Sequence, residues 1–206
     1  AQALNMGDEV HNRNRAATSL FYRALAPAIV RTCGPLPSLV FSGPEPFLRP
    51  DLYRIARTFL LRNKVRRLSV HTDGALHETA EAFVRDLLYA HPDLELSIKV
   101  SLDAEDAFNK ALDTLDKLKR LKSRYPSLSV VVSTLISNEN ASAMPGLMDF
   151  VFTKVGPDRH EFDLDQSGPG EAPVPLPDAA ALKRLHRAVL GNKVRYLKRD
   201  GAGPLR

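Results

Sequence analysis

Four short stretches place residues that could do chemistry directly after apolar runs: Ser42-Gly43-Pro44-Glu45-Pro46, His71-Thr72-Asp73-Gly74, Val100-Ser101-Leu102-Asp103 and Val132-Ser133-Thr134. The Glu45 carboxylate could accept from an amino group. The Thr72 and Ser101 hydroxyls could meet the hydroxyls of a sugar, and Gly43 and Gly74 allow a backbone to come close to a ligand. Taken singly, these residue types are the ordinary ones of strand-to-helix turns. Their recurrence at successive turns suggests a site for an amino group and ribose hydroxyls.

Other chemistries find less support. Cys33 is the single cysteine of the chain, so neither a disulfide nor a multi-thiolate metal site can form within it. It precedes Gly34-Pro35-Leu36-Pro37 and is expected to be a small buried apolar residue. His71, His160 and His186 are scattered, without the two-histidine spacing on one helix face that zinc sites use. No glycine-rich phosphate loop and no Gly-x-Ser-x-Gly nucleophile elbow occurs.

The elements that must position the four stretches follow from apolar patterning. Ser38 to Ser42, Leu68 to Thr72, Leu94 to Leu102 and Leu128 to Ile136 are short apolar runs bounded by turn residues, the pattern of buried strands. Between them, three sets recur at three- and four-residue steps: Leu52, Ile55, Ala56, Phe59 and Leu60; Phe83, Leu87 and Leu88; and Phe108, Ala111, Leu112, Leu115, Leu118 and Leu121. Each predicts a helix with one apolar stripe. Pro50 near a helix start and Pro92 and Pro126 after helix ends agree with these boundaries.

Strand and helix therefore alternate in units of about thirty residues, which predicts βαβ crossovers and a parallel sheet. Sheets and barrels of this kind present ligands at the carboxyl ends of their strands, where the four stretches lie. Arg159 to Leu164 is expected to be a last strand, residues 166–177 a Gly/Pro-rich linker, and Asp178 the start of a helix with Leu182, Leu185, Val189 and Leu190 on one side. The expected organisation is a single domain over residues 1–206, with a core over about 8–165 and a C-terminal helix over 178–200.

The run Leu39 to Leu52, containing Gly43-Pro44-Glu45-Pro46, together with Thr72-Asp73-Gly74 and Val100-Ser101-Leu102-Asp103, resembles segments of the radical S-adenosylmethionine superfamily in their order. The resemblance implies an α/β fold, a partial (β/α)6-type TIM-like barrel with parallel strands and outer helices. It implies binding of S-adenosylmethionine through Gly43, Glu45, Pro46, Thr72, Ser101 and Asp103. It also implies a 4Fe-4S cluster that reductively cleaves this cofactor to start radical chemistry.

The cluster loop of that superfamily, counted back from Phe21-Tyr22, falls on Arg13, Ala17 and Leu20. None of these can ligate iron, because soft thiolates are needed. Pro44 stands where the family has a second glycine, and Asp73 and Ser133 stand where it has asparagine. The resemblance accordingly implies a chain without catalytic residues, inactive or only cofactor-binding, with an unknown substrate. Methyl transfer without a cluster would need a base that the strand ends do not offer.

A different class of function is a non-catalytic scaffold. The formal charge of +5 and the basic runs Arg62 to Arg67, Lys117 to Arg124 and Lys193 to Arg199 could meet an acidic protein or RNA. No aromatic residues are interleaved for base stacking, and such charges also occupy ordinary helix ends. No apolar run approaches the roughly 20 residues that span a bilayer, so a cytoplasmic protein with no membrane partner is expected.

Overall fold

Alternating apolar residues in the strands and apolar stripes on the helices build one layer of helices on a parallel sheet. The computed structural model describes residues 26–102, 105–164 and 177–200. Asp103, the proposed cluster positions Arg13, Ala17 and Leu20, and most of the 166–177 linker lie outside these residues.

Helix α1 (Ala26–Cys33) leads into strand β1 (Ser38–Phe41), followed by a single 3-10 turn (Pro46–Leu48) and helix α2 (Leu52–Asn63). Then come β2 (Arg67–Thr72), α3 (His77–Ala90), β3 (Glu95–Ser101), α4 (Glu105–Lys122) and β4 (Leu128–Ile136). Helix α5 (Met144–Phe150) continues into a π-helical turn (Val151–Val155). Strand β5 (Arg159–Leu164) and the long helix α6 (Ala179–Arg199) complete the described elements.

The five strands lie in the order β1-β2-β3-β4-β5, and every neighbouring pair is parallel. The order contains no reversal, so the sheet has no switch point of the doubly wound kind. The described fold is thus α/β with a parallel sheet.

Register sorts the side chains onto two faces, because successive residues of a strand point opposite ways. Leu68 and Val70 of β2, Leu96, Ile98 and Val100 of β3, and Leu128, Val130 and Val132 of β4 are buried in one core with α2, α3 and α4. Leu52, Ile55, Ala56, Phe59 and Leu60 supply the α2 stripe, and Val84, Leu87 and Leu88 that of α3. Each such side chain contributes about 1.5–3 kcal/mol when fully buried. A second cluster, Ile136, Met144, Met148 and Leu185, joins β4, α5 and α6.

Two sequence expectations need correction here. Cys33 is exposed at the end of α1. The tie that anchors α1 runs instead through Asn63, whose Nδ2 donates to the Val30 carbonyl at 2.9 Å, so the cysteine is not needed for packing. Helix α5 and its π turn went unrecognised, because Met144-Pro145-Gly146-Leu147 combines a proline and a glycine at positions that weaken a helix signal. Val151 and Val155 are nevertheless buried against the main core.

Candidate ligand-binding face and strand-end cluster

Glu45, at the carboxyl end of β1, caps the 3-10 turn and accepts from the Phe47 N–H at 2.8 Å. Phe47 is buried, its ring edge-on to Phe83 of α3 with centroids 5.5 Å apart, and this contact pins the turn. From that position the second carboxylate oxygen reaches β2, accepting from the Thr72 hydroxyl at 2.7 Å and the Asp73 N–H at 2.9 Å. Burial pushes the Glu45 carboxyl above its ordinary range. The Thr72 hydroxyl pulls it back, Asp73 raises it further, and the two backbone N–H groups lower it.

The neighbouring turn closes in the same manner. Thr72 Oγ1 accepts from the Gly74 N–H at 3.0 Å, and Asp73 Oδ1 from the Ala75 N–H at 2.7 Å. Gly74 sits at φ +77° with the α4 backbone against it: a Cβ there would come within 2.8 Å of the Ala111 Cα. Its carbonyl accepts from the buried Thr114 hydroxyl at 2.7 Å. Glycine is required for both conformation and space.

Of the residues expected to bind a cofactor, Glu45 and Thr72 therefore meet, but they meet each other. Gly43 is exposed with φ +133°, where a Cβ would meet nothing within 4 Å among the described residues, and Pro46 is buried as the first residue of the 3-10 turn. Ser101 lies apart from this cluster, its Oγ 3.4 Å from that of Ser133 on β4.

Ser101 belongs to a different set. On the sheet face opposite the helices, His71 pairs in register with Lys99, and Ser101 with Ser133. Ser133 in turn pairs with Glu161 of β5. Lys99 Nζ bridges to Glu161 Oε2 at 3.1 Å and Asp163 Oδ2 at 2.9 Å. Burial lowers the Lys99 ammonium, but its hydrogen bonds to Asp163 and Glu161 outweigh this and hold its pKa above the ordinary value. His71 is pushed down by burial and by the Lys99 charge, against the opposing pull of Glu161 and Asp163.

Parallel sheets usually carry apolar residues on both faces. Here one face presents an ammonium, two carboxylates, an imidazole and hydroxyls. Lys99, Glu161 and Asp163 escaped recognition in the sequence because they lie on different strands, Lys99 and Asp163 being 64 residues apart. The signal that could have found them is the alternation in Ser97-Ile98-Lys99-Val100-Ser101, which sets the polar residues on one face.

Thr134 and His160 touch through Oγ1 and Nε2 at 3.0 Å but lie on the helix-covered face. Thr134 is buried, and burial drives the His160 imidazole down to about 4. This pair is structural. No group of three or more His, Cys, Asp or Glu suited to a metal ion occurs among the described residues.

Some cations of the basic helices are held in ion pairs. Lys117 pairs with Glu78 and Glu81, Arg120 with Asp116, and Lys122 with Asp158. Arg195 pairs with Asp149 and Arg199 with Asp200. No helix among the described residues is long and apolar enough to cross a membrane.

A family model described as oxamate carbamoyltransferase subunit AllG matches residues 1–37. The uncharacterized protein YahG of Escherichia coli is 61% identical over 31 residues, which are 15% of this chain and 7% of that relative. The aligned part thus spans a small fraction of the curated relative. These likenesses overturn the radical S-adenosylmethionine and iron-sulfur assignment. The matched segment includes Arg13, Ala17 and Leu20, so the supposed cluster loop stripped of thiolates belongs to a stretch that resembles a different family. With one exposed cysteine in the chain, the residues present do not fit a 4Fe-4S cluster.

Proposed function

We propose that this chain is a binding domain that holds a small polar molecule on the sheet face opposite the helices, near the carboxyl ends of β2 to β5. The observation that carries this is Lys99 held between Glu161 and Asp163 beside His71, Ser101 and Ser133. Two carboxylates and several hydroxyls gathered on a parallel sheet face, with the Lys99 ammonium shared between the carboxylates, suit a ligand that offers N–H or O–H donors. The unreversed strand order is also that of an incomplete (β/α) barrel, in which this face would line the lumen.

Oxamate, named in the description of the family model, combines a carboxylate with an amide and serves as the probe. S-adenosylmethionine serves as a second probe, because it tests the cofactor expectation attached to Glu45. Amide chemical-shift mapping on the full chain is expected to show saturable changes at Lys99, Ser101, Ser133 and Glu161 with oxamate. Lys99→Met should abolish them while leaving the rest of the spectrum intact. Changes centred on Glu45 and Thr72 with S-adenosylmethionine, and none on the Lys99 face with oxamate, would overturn this site.

A second reading is favoured by the match of residues 1–37 to a model described as a subunit: that segment docks the chain into a larger assembly. An acidic protein or RNA partner would meet Arg62, Lys64, Arg66 and Arg67, which are exposed. Such binding should fall steeply with salt, whereas docking through residues 1–37 should be lost when they are removed.

A further inference from the structure

Helix α6 leaves a groove of about 790 Å³ between its first half and the last two strands. Ile136 of β4, Phe162 of β5 and Leu182, Leu185 and Val189 of α6 form its walls, and Lys183, His186 and Arg187 also line it. Those last three are exposed and so stand at the rim. The volume lies within the roughly 300–1,000 Å³ of small-molecule sites, which combine apolar walls with a few polar groups.

The rim is uniformly basic. Helix α6 contains no Asp or Glu over Ala179–Arg199. Farther along it, Arg195 is held by Asp149, and Arg199 by Asp200 and the Pro157 and Asp158 carbonyls. Lys183 and Arg187 meet no carboxylate among the described residues. They lie one turn apart, with Arg187 Nε donating to the Lys183 carbonyl at 3.4 Å, so both charges fall on the same edge of the groove.

We propose that this groove binds an acyl-chain carboxylate, its chain against Phe162, Leu185 and Val189 and its carboxylate on Lys183 and Arg187. Charge complementarity selects this occupant. A neutral lipid leaves the paired cations unused, and a second copy of the chain would set one acid-free helix against another and be repelled. The site is separate from the Lys99 face, which lies on the other side of the sheet.

The test is calorimetric titration of the full chain with dodecanoate below its micellar concentration, with dodecanol as the uncharged control. Saturable one-to-one binding of dodecanoate is expected. The K183E/R187E variant, and dodecanol with the unaltered chain, should each bind roughly tenfold more weakly, the loss expected of a charge-assisted contact. Circular dichroism checks that the variant keeps its helices, and Val189→Glu provides a second route to blocking the groove without touching the rim cations. Equal binding of dodecanoate and dodecanol, or no saturable binding, would overturn the proposal. So would a dimer in sedimentation that the charge variant dissociates, since the groove would then be an interface between copies.

Discussion

The turns after β1 and β2 and the contact between α6 and β5 treat their buried polar groups in opposite ways. Around Glu45 the hydrogen-bonding groups engage one another: both Glu45 carboxylate oxygens, the Thr72 hydroxyl and Asp73 Oδ1 accept or donate within the turns. On the α6 side, buried Asn192 leaves both amide atoms without a partner among the described residues, and the Tyr196 hydroxyl and His160 Nδ1 are likewise unpaired there. A satisfied cluster rigidifies a fold. Spare hydrogen-bonding capacity in a buried position costs stability and has to be explained by packing or by a ligand. The residue types that looked most like a cofactor site are therefore the ones most fully engaged in holding the chain.

The largest effect that would test this contrast is expected at Gly74. Gly74→Val must place a branched side chain at φ +77° with its Cβ 2.8 Å from the Ala111 backbone. Strain and overpacking together should cost about 3–5 kcal/mol in urea unfolding. Gly146→Ala, where a Cβ meets nothing within 4 Å, should leave stability unchanged or slightly raised. Equal behaviour of the two variants would show that the β2 turn is looser than its geometry indicates.

Next comes the pH response of the opposite region. The His160 imidazole falls from 6.5 to about 4 on burial. The unfolded chain takes up a proton below its ordinary pKa while the folded chain does not. This part of the stability is present above pH 6.5 and is lost as pH falls toward 4, by up to roughly 3 kcal/mol. His160→Phe should remove this component, so the difference between the two unfolding curves isolates it from the carboxylates. A difference that does not change with pH would mean that His160 is solvated.

Much of the framework was legible before the structure. Leu52, Ile55, Ala56, Phe59 and Leu60, spaced as one stripe, are all buried in α2, and the apolar run Leu128 to Ile136 is β4. Period and propensity are local properties, so a sequence displays them. The roles of polar groups are not local. Glu45 stood at a strand end as expected, but its engagement depends on Thr72, 27 residues away, and nothing near Glu45 announces that its oxygens are taken. The same holds for Lys99, whose partners come from β5. The likeness of Gly43-Pro44-Glu45-Pro46 to a cofactor-binding turn reflected the geometry of a strand-to-helix connection, and geometry alone does not carry chemistry.

A smaller loss is expected in the satisfied cluster. Glu45→Ala removes one acceptor from each of three donors, Phe47 N–H, the Thr72 hydroxyl and Asp73 N–H. Because the carboxylate is only half-buried, water can replace part of this, and the cost should be about 2 kcal/mol. Thermal unfolding checks it. Resonances of the Lys99 face should hardly move, because that site uses none of these groups. A large shift at Lys99 or Ser101 would join the two regions and dissolve the contrast between them.

The smallest effect has the opposite sign and probes the open region most directly. Asn192 is 4% exposed, and neither Nδ2 nor Oδ1 has a partner among the described residues. Replacing such a group by an apolar one of similar size removes its desolvation cost without breaking a bond, so Asn192→Leu should stabilise the chain by about 1 kcal/mol. Tyr196, one turn on, keeps its edge-on contact with Phe152 at 5.0 Å and reports whether α6 has moved. Destabilisation by Asn192→Leu with that contact intact would mean that the amide is hydrogen-bonded in solution. The α6 side would then be as satisfied as the Glu45 turn, with water or a bound molecule supplying the missing partners.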